Sequence, residues 1–175
     1  MTGPRIEIIN GDITRCQVDA IVNAANERLS DGSGVNGAIQ RAAGPQLLLE
    51  CRAIGGCKTG HAVVTAAYQL PAKFVFHAVG PIWQGGGANE DSLLGGCYRA
   101  CFALAAHHGV RSIAFPAIST GIYGFPPARA AIIAATQTRA YLEAGGGLER
   151  IVFIAFGVEA QTVLQYAFAD ICDAG

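Results

Sequence analysis

Mainly apolar stretches fall at 6–9, 20–22, 62–66, 74–79, 113–115 and 151–154. They are rich in β-branched residues and continuous rather than alternating. Such runs suit short strands buried on both faces, as in a sheet covered by helices. Between them lie stretches with helical character at 36–50, 92–108, 126–143 and 159–172. The third starts at Pro126-Pro127 and stops at Gly145-Gly146-Gly147. Proline opening a helix and glycine closing it is the usual asymmetry. Strands alternating with helices predict a three-layer α/β domain.

Composition narrows the picture. The chain has 175 residues, 51% hydrophobic and 14% charged, which excludes disorder and predicts one domain over 1–175. No apolar run reaches the roughly 18 residues of a membrane helix. The start, Met-Thr-Gly-Pro-Arg-Ile-Glu, lacks an apolar signal core, so a cytoplasmic protein is expected. Lys plus Arg number 12 against 13 Asp plus Glu, a net charge of −1, so no basic field is present to hold nucleic acid. The six cysteines form no Cys-x-x-Cys pair and read as reduced thiols. Cys97, Cys101 and His108 share a helical face, but so do Leu104 and Ala105, and no fourth ligand can be placed. Core residues are therefore expected there, with no metal and no cofactor.

Glycine is in excess, 23 of 175, and its placement is informative. Four polar or glycine-bearing segments follow predicted strands, where ligands bind in open α/β sheets. They are 11–14 (Gly-Asp-Ile-Thr), 23–26 (Asn-Ala-Ala-Asn), 32–37 (Gly-Ser-Gly-Val-Asn-Gly) and 119–124 (Ser-Thr-Gly-Ile-Tyr-Gly). The third satisfies G-x-G-x-x-G, but nine residues separate it from its strand and no ribose-binding acid ends a second strand. A dinucleotide fold is rejected on both counts. The P-loop pattern fails at Cys57 and the esterase elbow at Ala117. What survives is a loop leading into a helix that begins near Asn36, an anion site made of backbone N–H groups and the helix dipole. Ser119–Thr120–Gly121 offers a second such loop. Two of them can grip a pyrophosphate without Lys or Arg; the alternative is two ordinary turns. Asp12 reads as an acceptor for an adenine amino group or as a local cap. Asn23 and Asn26 read as ribose holders or as loop-stabilising side chains. Tyr123 and Phe156 read as sugar- and base-packing rings or as core aromatics. His61 and His77 sit in strand-like contexts and read as structural.

These segments, in this order, resemble the macro domain family in its MacroD-type branch. The resemblance runs from about 6 to 156. It is carried by Gly-Asp-Ile-Thr at 11–14, Val-Asn-Ala-Ala-Asn at 22–26, Gly-Val-Asn-Gly-Ala-Ile-Gln-Arg-Ala-Ala-Gly at 34–44, Thr-Gly-His-Ala at 59–62, His-Ala-Val-Gly-Pro-Ile-Trp at 77–83 and Phe-Pro-Ala-Ile-Ser-Thr-Gly-Ile-Tyr-Gly-Phe-Pro at 115–126. It implies a three-layer α/β/α sandwich around a mixed, mostly parallel sheet, with an ADP-ribose pocket across the strand ends. By position, Asp12 and Ile13 would hold the adenine and Phe156 would pack against it. Ser33, Gly34 and Val35 would form the first phosphate loop. Ser119, Thr120, Gly121, Ile122 and Tyr123 would form the second, with Tyr123 near the distal ribose and Asn26 bonded to it. Relatives remove ADP-ribose from modified acidic residues and deacetylate O-acetyl-ADP-ribose.

The sequence departs from that pattern at the chemistry. Enzymatic relatives usually read Gly-Gly-Gly-Gly-Val-Asp-Gly-x-Ile-His; this chain carries Asn36 for the aspartate and Gln40 for the histidine. An amide is not a base at neutral pH, and general-base catalysis is worth roughly 10²–10⁴-fold. Asn26 and Asn36 remain as the catalytic candidates, orienting a water, with the substrate phosphate or Asp31 as proton acceptor. The expectation is a hydrolase of ADP-ribose adducts, slowed by Asn36; the alternative is a non-catalytic ADP-ribose reader. Expected partners are ADP-ribose, its adducts and ADP-ribosylated proteins, met by a monomer.

Overall fold

The computed structural model describes residues 3–172; the ends of the predicted 1–175 unit, 1–2 and 173–175, lie outside the described residues. The six apolar runs become strands β1 (Arg5–Asn10), β2 (Ala20–Ala24), β3 (Ala62–Ala66), β4 (Phe74–Ala78), β5 (Ser112–Phe115) and β6 (Arg150–Ala155). They form one sheet in the order β1-β6-β5-β2-β4-β3. Every pairing is parallel except β3 with β4. Successive side chains of a strand point to opposite faces, and here both faces are core. In β6, Ile151 and Phe153 pack on one side and Val152 and Ile154 on the other. That double burial is why the runs are continuous rather than alternating.

Helices cover both faces. On one lie α1 (Gly34–Ala43) and α2 (Pro45–Ile54), which bring Ile39, Leu47 and Cys51 onto Ile21, Val75 and Val152. On the other lie α3 (Glu90–His107), α4 (Pro127–Glu143) and α5 (Val158–Cys172). They pack Leu94, Cys97, Cys101, Ala134 and Phe168 on Phe76, Phe115 and Phe153. The fold is the expected three-layer α/β/α sandwich. Aromatic contacts run through the larger core: Phe115 stacks on Phe153 at 5.3 Å and Phe153 meets Phe168 at 4.4 Å. Such pairs add about 0.5–1.5 kcal/mol beyond their buried area.

The predicted helix at 36–50 is two helices. Gly44 ends the first and caps the second, whose first residue is Pro45. Proline has no N–H to continue a helix and clashes with the preceding turn, so it starts a new one. The helix predicted at 92 starts at Glu90, whose side chain folds back on the preceding loop. Cys97 and Cys101 are fully buried, and His108 caps α3 with its ring 5.1 Å from that of Phe74. Among the described residues no helix is long and apolar enough to cross a membrane.

The topology opens one crevice. After β2 the chain turns to the α1/α2 face; after β5 it turns to the α4 face. Adjacent parallel strands whose connections diverge leave a gap at their C-terminal ends. Here β2 and β5 pair only through Ala20↔Ile113 and Ile21↔Ala114, whereas β2 stays paired with β4 through Ala24↔Ala78. Beyond Ile21 the strands part, and the two glycine-bearing loops face each other across the opening.

Candidate functional site

One wall of the crevice is the segment from β2 to α1. Asn26 ties its start together: Oδ1 accepts from the N–H and hydroxyl of Ser30 at 3.0 and 3.2 Å, and Nδ2 donates to Ser30 O at 3.2 Å. Asp31 Oδ1 accepts from Gly32 N–H at 2.8 Å. Ser33 is the N-cap of α1, with no hydrogen bond from its side chain to the helix. Gly37 N–H is the first to bond back, to Ser33 O at 3.2 Å. The N–H groups of Gly34, Val35 and Asn36 have no partner among the described residues, as the first turn of any helix requires. Gly34 makes the turn at φ +59°, where glycine costs nothing.

The other wall is the loop after β5. Phe125 N–H bonds Ser119 O at 2.9 Å and Gly124 N–H bonds Gly121 O at 3.0 Å, closing the loop on itself. The N–H groups of Thr120, Gly121, Ile122 and Tyr123 are left without a partner among the described residues. Ser119, not Gly121, carries the left-handed backbone, at φ +66°, a conformation that costs a non-glycine residue on the order of 1 kcal/mol or more. Its hydroxyl is buried without a partner among the described residues. A methyl group on Gly80 would overlap that hydroxyl, so only glycine fits at 80. Tyr123 O accepts from Trp83 N–H at 2.8 Å and binds this loop to the one after β4.

Between the walls lies a cavity of about 260 Å³ bordered by Asn26, Ser33, Gly34, Val35, Asn36, Gly80, Ser119, Gly121, Ile122 and Tyr123. Among the described residues, Tyr123 is the only titratable one on its lining. That lining has no Lys or Arg to hold a phosphate and no carboxylate to take a proton. Asp31 is exposed and outside it.

Behind this cavity runs a buried polar chain that ends on Asn36, itself 7% exposed. Asn36 Nδ2 donates to Ser30 O at 3.1 Å, and Oδ1 accepts from Asn23 Nδ2 at 2.9 Å. Asn23 Nδ2 also lies 3.2 Å from His77 Nδ1. His77 Nε2 lies 2.9 Å from Thr65 Oγ1, whose hydrogen goes to Ala66 O at 3.0 Å. One proton arrangement fits these contacts, leaving Asn23 Oδ1 without a partner among the described residues. Ser30 O demands the amide NH₂ of Asn36, which turns its oxygen to Asn23. Asn23 then donates to His77 Nδ1, and His77 donates from Nε2 to Thr65. Burial pushes the His77 pKa down to about 4, so the ring is neutral near pH 7, as this arrangement requires. Asn23 is fully buried and outside the cavity lining. The reading of Asn23 as a ribose holder is corrected: it orients Asn36 instead. Gln40 is also buried, with Oε1 unpaired among the described residues. His61 precedes β3 and is exposed, not within a strand.

Two further volumes adjoin the crevice. One, about 470 Å³, shares Ala117, Ile118 and Gly121 with it and includes Thr120 and Phe156. Phe156 follows β6 and is 95% exposed, a ring without a core role. Asp12 follows the neighbouring β1; its Oδ1 accepts from Thr14 Oγ1 at 2.7 Å and Thr14 N–H at 2.9 Å. These bonds, the hydroxyl's first, hold its carboxyl below the usual range. Asp12 is thus both the cap of the 3-10 turn Ile13–Arg15 and an exposed acceptor beside Phe156's strand. Ile13 is buried in the α1-side core, so its side chain packs there rather than facing the crevice. The other volume, about 510 Å³, shares Asn26, Gly80 and Tyr123 with the crevice. Gly80 touches both cavities; it lies in the quoted 77–83 segment but is given no role there, and its place right after an apolar strand is the further signal.

A family model for the macro domain matches residues 22–134. A macro domain-containing protein of Methanosarcina mazei is 49% identical over 167 residues, 95% of this chain and 89% of its own. An O-acetyl-ADP-ribose deacetylase of Enterobacter cloacae is 52% identical over 166 residues, 93% of this chain and 92% of its own. A mutant macrodomain of Oceanobacillus iheyensis, solved with ADP-ribose, superposes with a TM-score of 0.91 at 36% identity, covering 96% of this chain and 94% of that one. The matched span contains both walls of the crevice and the buried chain behind it. By motif, by relatives along more than nine-tenths of its length and by fold, this chain belongs to the macro domain family.

Proposed function

We propose that the chain binds ADP-ribose along the C-terminal edge of its sheet and slowly hydrolyses ADP-ribosyl esters there. The observation that carries the reading is a pair of facing loops, Gly34–Asn36 and Thr120–Tyr123, whose N–H groups are unpaired across one uncharged cavity. Such a pair can neutralise a pyrophosphate with dipoles alone. The strained backbone of Ser119 supports it, because such strain is characteristic of loops shaped around a ligand. The adenine then lies toward Asp12 and Phe156, and the distal ribose toward Asn26, Asn36 and Tyr123. Asn26 and Asn36 each use one amide hydrogen within the protein and keep the second for a ribose hydroxyl or a water.

In ester hydrolysis the water oxygen bonds the acyl carbon, the bond from that carbon to the ribose oxygen breaks, and the ribose hydroxyl and a carboxylic acid leave. Two asparagines can place the water, but the cavity offers it no carboxylate, so its proton passes to a substrate phosphate or to solvent. Slow turnover follows. The same lack of a base favours a second reading, a reader that holds ADP-ribose without turnover. Single-turnover assays with O-acetyl-ADP-ribose and with protein ADP-ribosylated on acidic residues decide between them: measurable release above the uncatalysed rate is expected, and none assigns the reader role. Calorimetry that finds AMP bound as tightly as ADP-ribose would overturn both.

A further inference from the structure

We propose that Thr65, on the edge strand β3, is a positioning residue for the distal-ribose site: through His77 and Asn23 it fixes which way the Asn36 amide faces. This rests on the ADP-ribose reading above and deepens it. Thr65 lies two strands from the crevice, and Thr65, His77 and Asn23 are all buried and outside the cavity lining.

Two backbone carbonyls, which can only accept, anchor the buried polar chain at its ends. At one end Ser30 O takes a hydrogen from Asn36 Nδ2, so Asn36 Oδ1 is the atom that meets Asn23. At the other end Ala66 O takes the Thr65 hydroxyl hydrogen. Thr65 Oγ1 can then only accept from His77 Nε2, which leaves His77 Nδ1 bare. Both runs draw on one group, Asn23 Nδ2, which gives one hydrogen to Asn36 and one to His77. Asn23 Oδ1 is left buried without a partner among the described residues, a feature that calls for a cause. The cause is imposed from both ends: turning the amide over would set Oδ1 against two acceptors, Asn36 Oδ1 and His77 Nδ1. Besides Thr65, His77 Nε2 meets Cys51 Sγ at 3.8 Å, a weak acceptor. Without the Thr65 hydroxyl, little holds the proton on Nε2. With the proton on Nδ1, Asn23 turns to offer its oxygen, and Asn36 must give up its bond to Asn23 or to Ser30. The amide hydrogen that Asn36 keeps for a ribose hydroxyl or a water then loses its direction.

The test reads the His77 tautomer by nitrogen-15 NMR of the ring, with His77→Gln to assign the signal, and measures ligand affinity alongside. The wild type should carry the ring proton on Nε2 near pH 7, and Thr65→Val should move it wholly or partly to Nδ1. Thr65→Val should also bind ADP-ribose about three- to tenfold more weakly, the worth of one ligand hydrogen bond. It should leave AMP, which has no distal ribose, within about twofold. Thr65→Ser keeps the hydroxyl and should restore both tautomer and affinity. A wild-type ring protonated on Nδ1 overturns the proposal. So does a Thr65→Val protein that keeps the wild-type tautomer, keeps full ADP-ribose affinity, or loses AMP and ADP-ribose equally, the last being the mark of a packing role. A wild-type protein with the proton on Nε2 that binds no ADP-ribose overturns the ADP-ribose reading, and the positioning role with it.

Discussion

A carboxylate at position 36 would turn one oxygen to Asn23 Nδ2 and the other to the carbonyl of Ser30, where Asn36 now donates at 3.1 Å. Asn36→Asp therefore loses a buried hydrogen bond and sets two acceptors against each other, a cost of about 1–3 kcal/mol in stability. Desolvation raises that carboxyl toward neutrality, which suits a base. Single-turnover ester hydrolysis should rise about tenfold while the thermal midpoint falls; no gain in rate denies position 36 a base role. The replacement of Asp by Asn is legible in the sequence, but its two partners are not, because Ser30 O and Asn23 come together only in the fold. Asp12 is altered likewise. It is exposed and already engaged by Thr14, so Asp12→Ala should weaken ADP-ribose binding by about 0.5–1.5 kcal/mol, less than a buried acceptor would. His77 gives a pH dependence with a defined sign. Its ring is neutral in the fold with a pKa near 4, against about 6.5 in the unfolded chain, so unfolding takes up a proton between those values. Its share of stability is whole above about 6.5 and declines as pH falls to about 4, by at most about 3 kcal/mol. Protonation also puts an N–H on Nδ1 against the Asn23 amide. Urea midpoints from pH 7 to 4 should fall more steeply for the wild type than for His77→Gln, and superimposable profiles would overturn this account.

Both loops are legible as elements because glycine and small polar residues directly follow or precede regular structure. Which backbone position is special is not. A β-carbon added at Gly121 would meet nothing within 4 Å, and the backbone there lies outside the left-handed region, while Ser119 takes the strained angle. Gly121 is thus replaceable in the empty protein, and its small size matters only to a ligand. Gly121→Glu should leave stability within about 0.5 kcal/mol and abolish ADP-ribose binding through bulk and like charge. Normal binding in that variant would return the loop to an ordinary turn. The strands are legible for a reason specific to this sheet: six runs buried on both faces cannot be mistaken for amphipathic helices of about 10 or more residues. The single helix expected over 36–50 fails because helical periodicity continues across Gly44-Pro45 and masks the break that the proline makes. That break lets α1 point its N-terminus into the crevice while α2 turns away to cover Ile21 and Val75.

The crevice depends on the whole topology, since its walls come from connections to opposite faces of the sheet. The β2–α1 loop is tied to the α1/α2 core and the β5–α4 loop to the α3/α4/α5 core. Between them β2 and β5 share two paired positions. A ligand bonded to both loops adds a tie where the sheet supplies little. Binding to the folded state alone stabilises it by RT ln(1 + [L]/Kd), about 2.7 kcal/mol at a hundredfold excess over Kd. For a domain of this length each kcal/mol is about 2–4 °C in midpoint. ADP-ribose at that excess should raise the thermal midpoint by about 5–10 °C. AMP, with one phosphate and no distal ribose, leaves Asn26 and one loop partly unused, so at the same concentration its shift should be a fraction of that. The comparison is sharper in a variant. Gly121→Glu should lose the ADP-ribose shift and keep the unliganded midpoint, because the groups holding each loop to its own layer are untouched. Retention of a full shift in that variant would mean that ligand stabilisation comes from the Asp12–Phe156 end alone, and the pyrophosphate would not bridge the two layers.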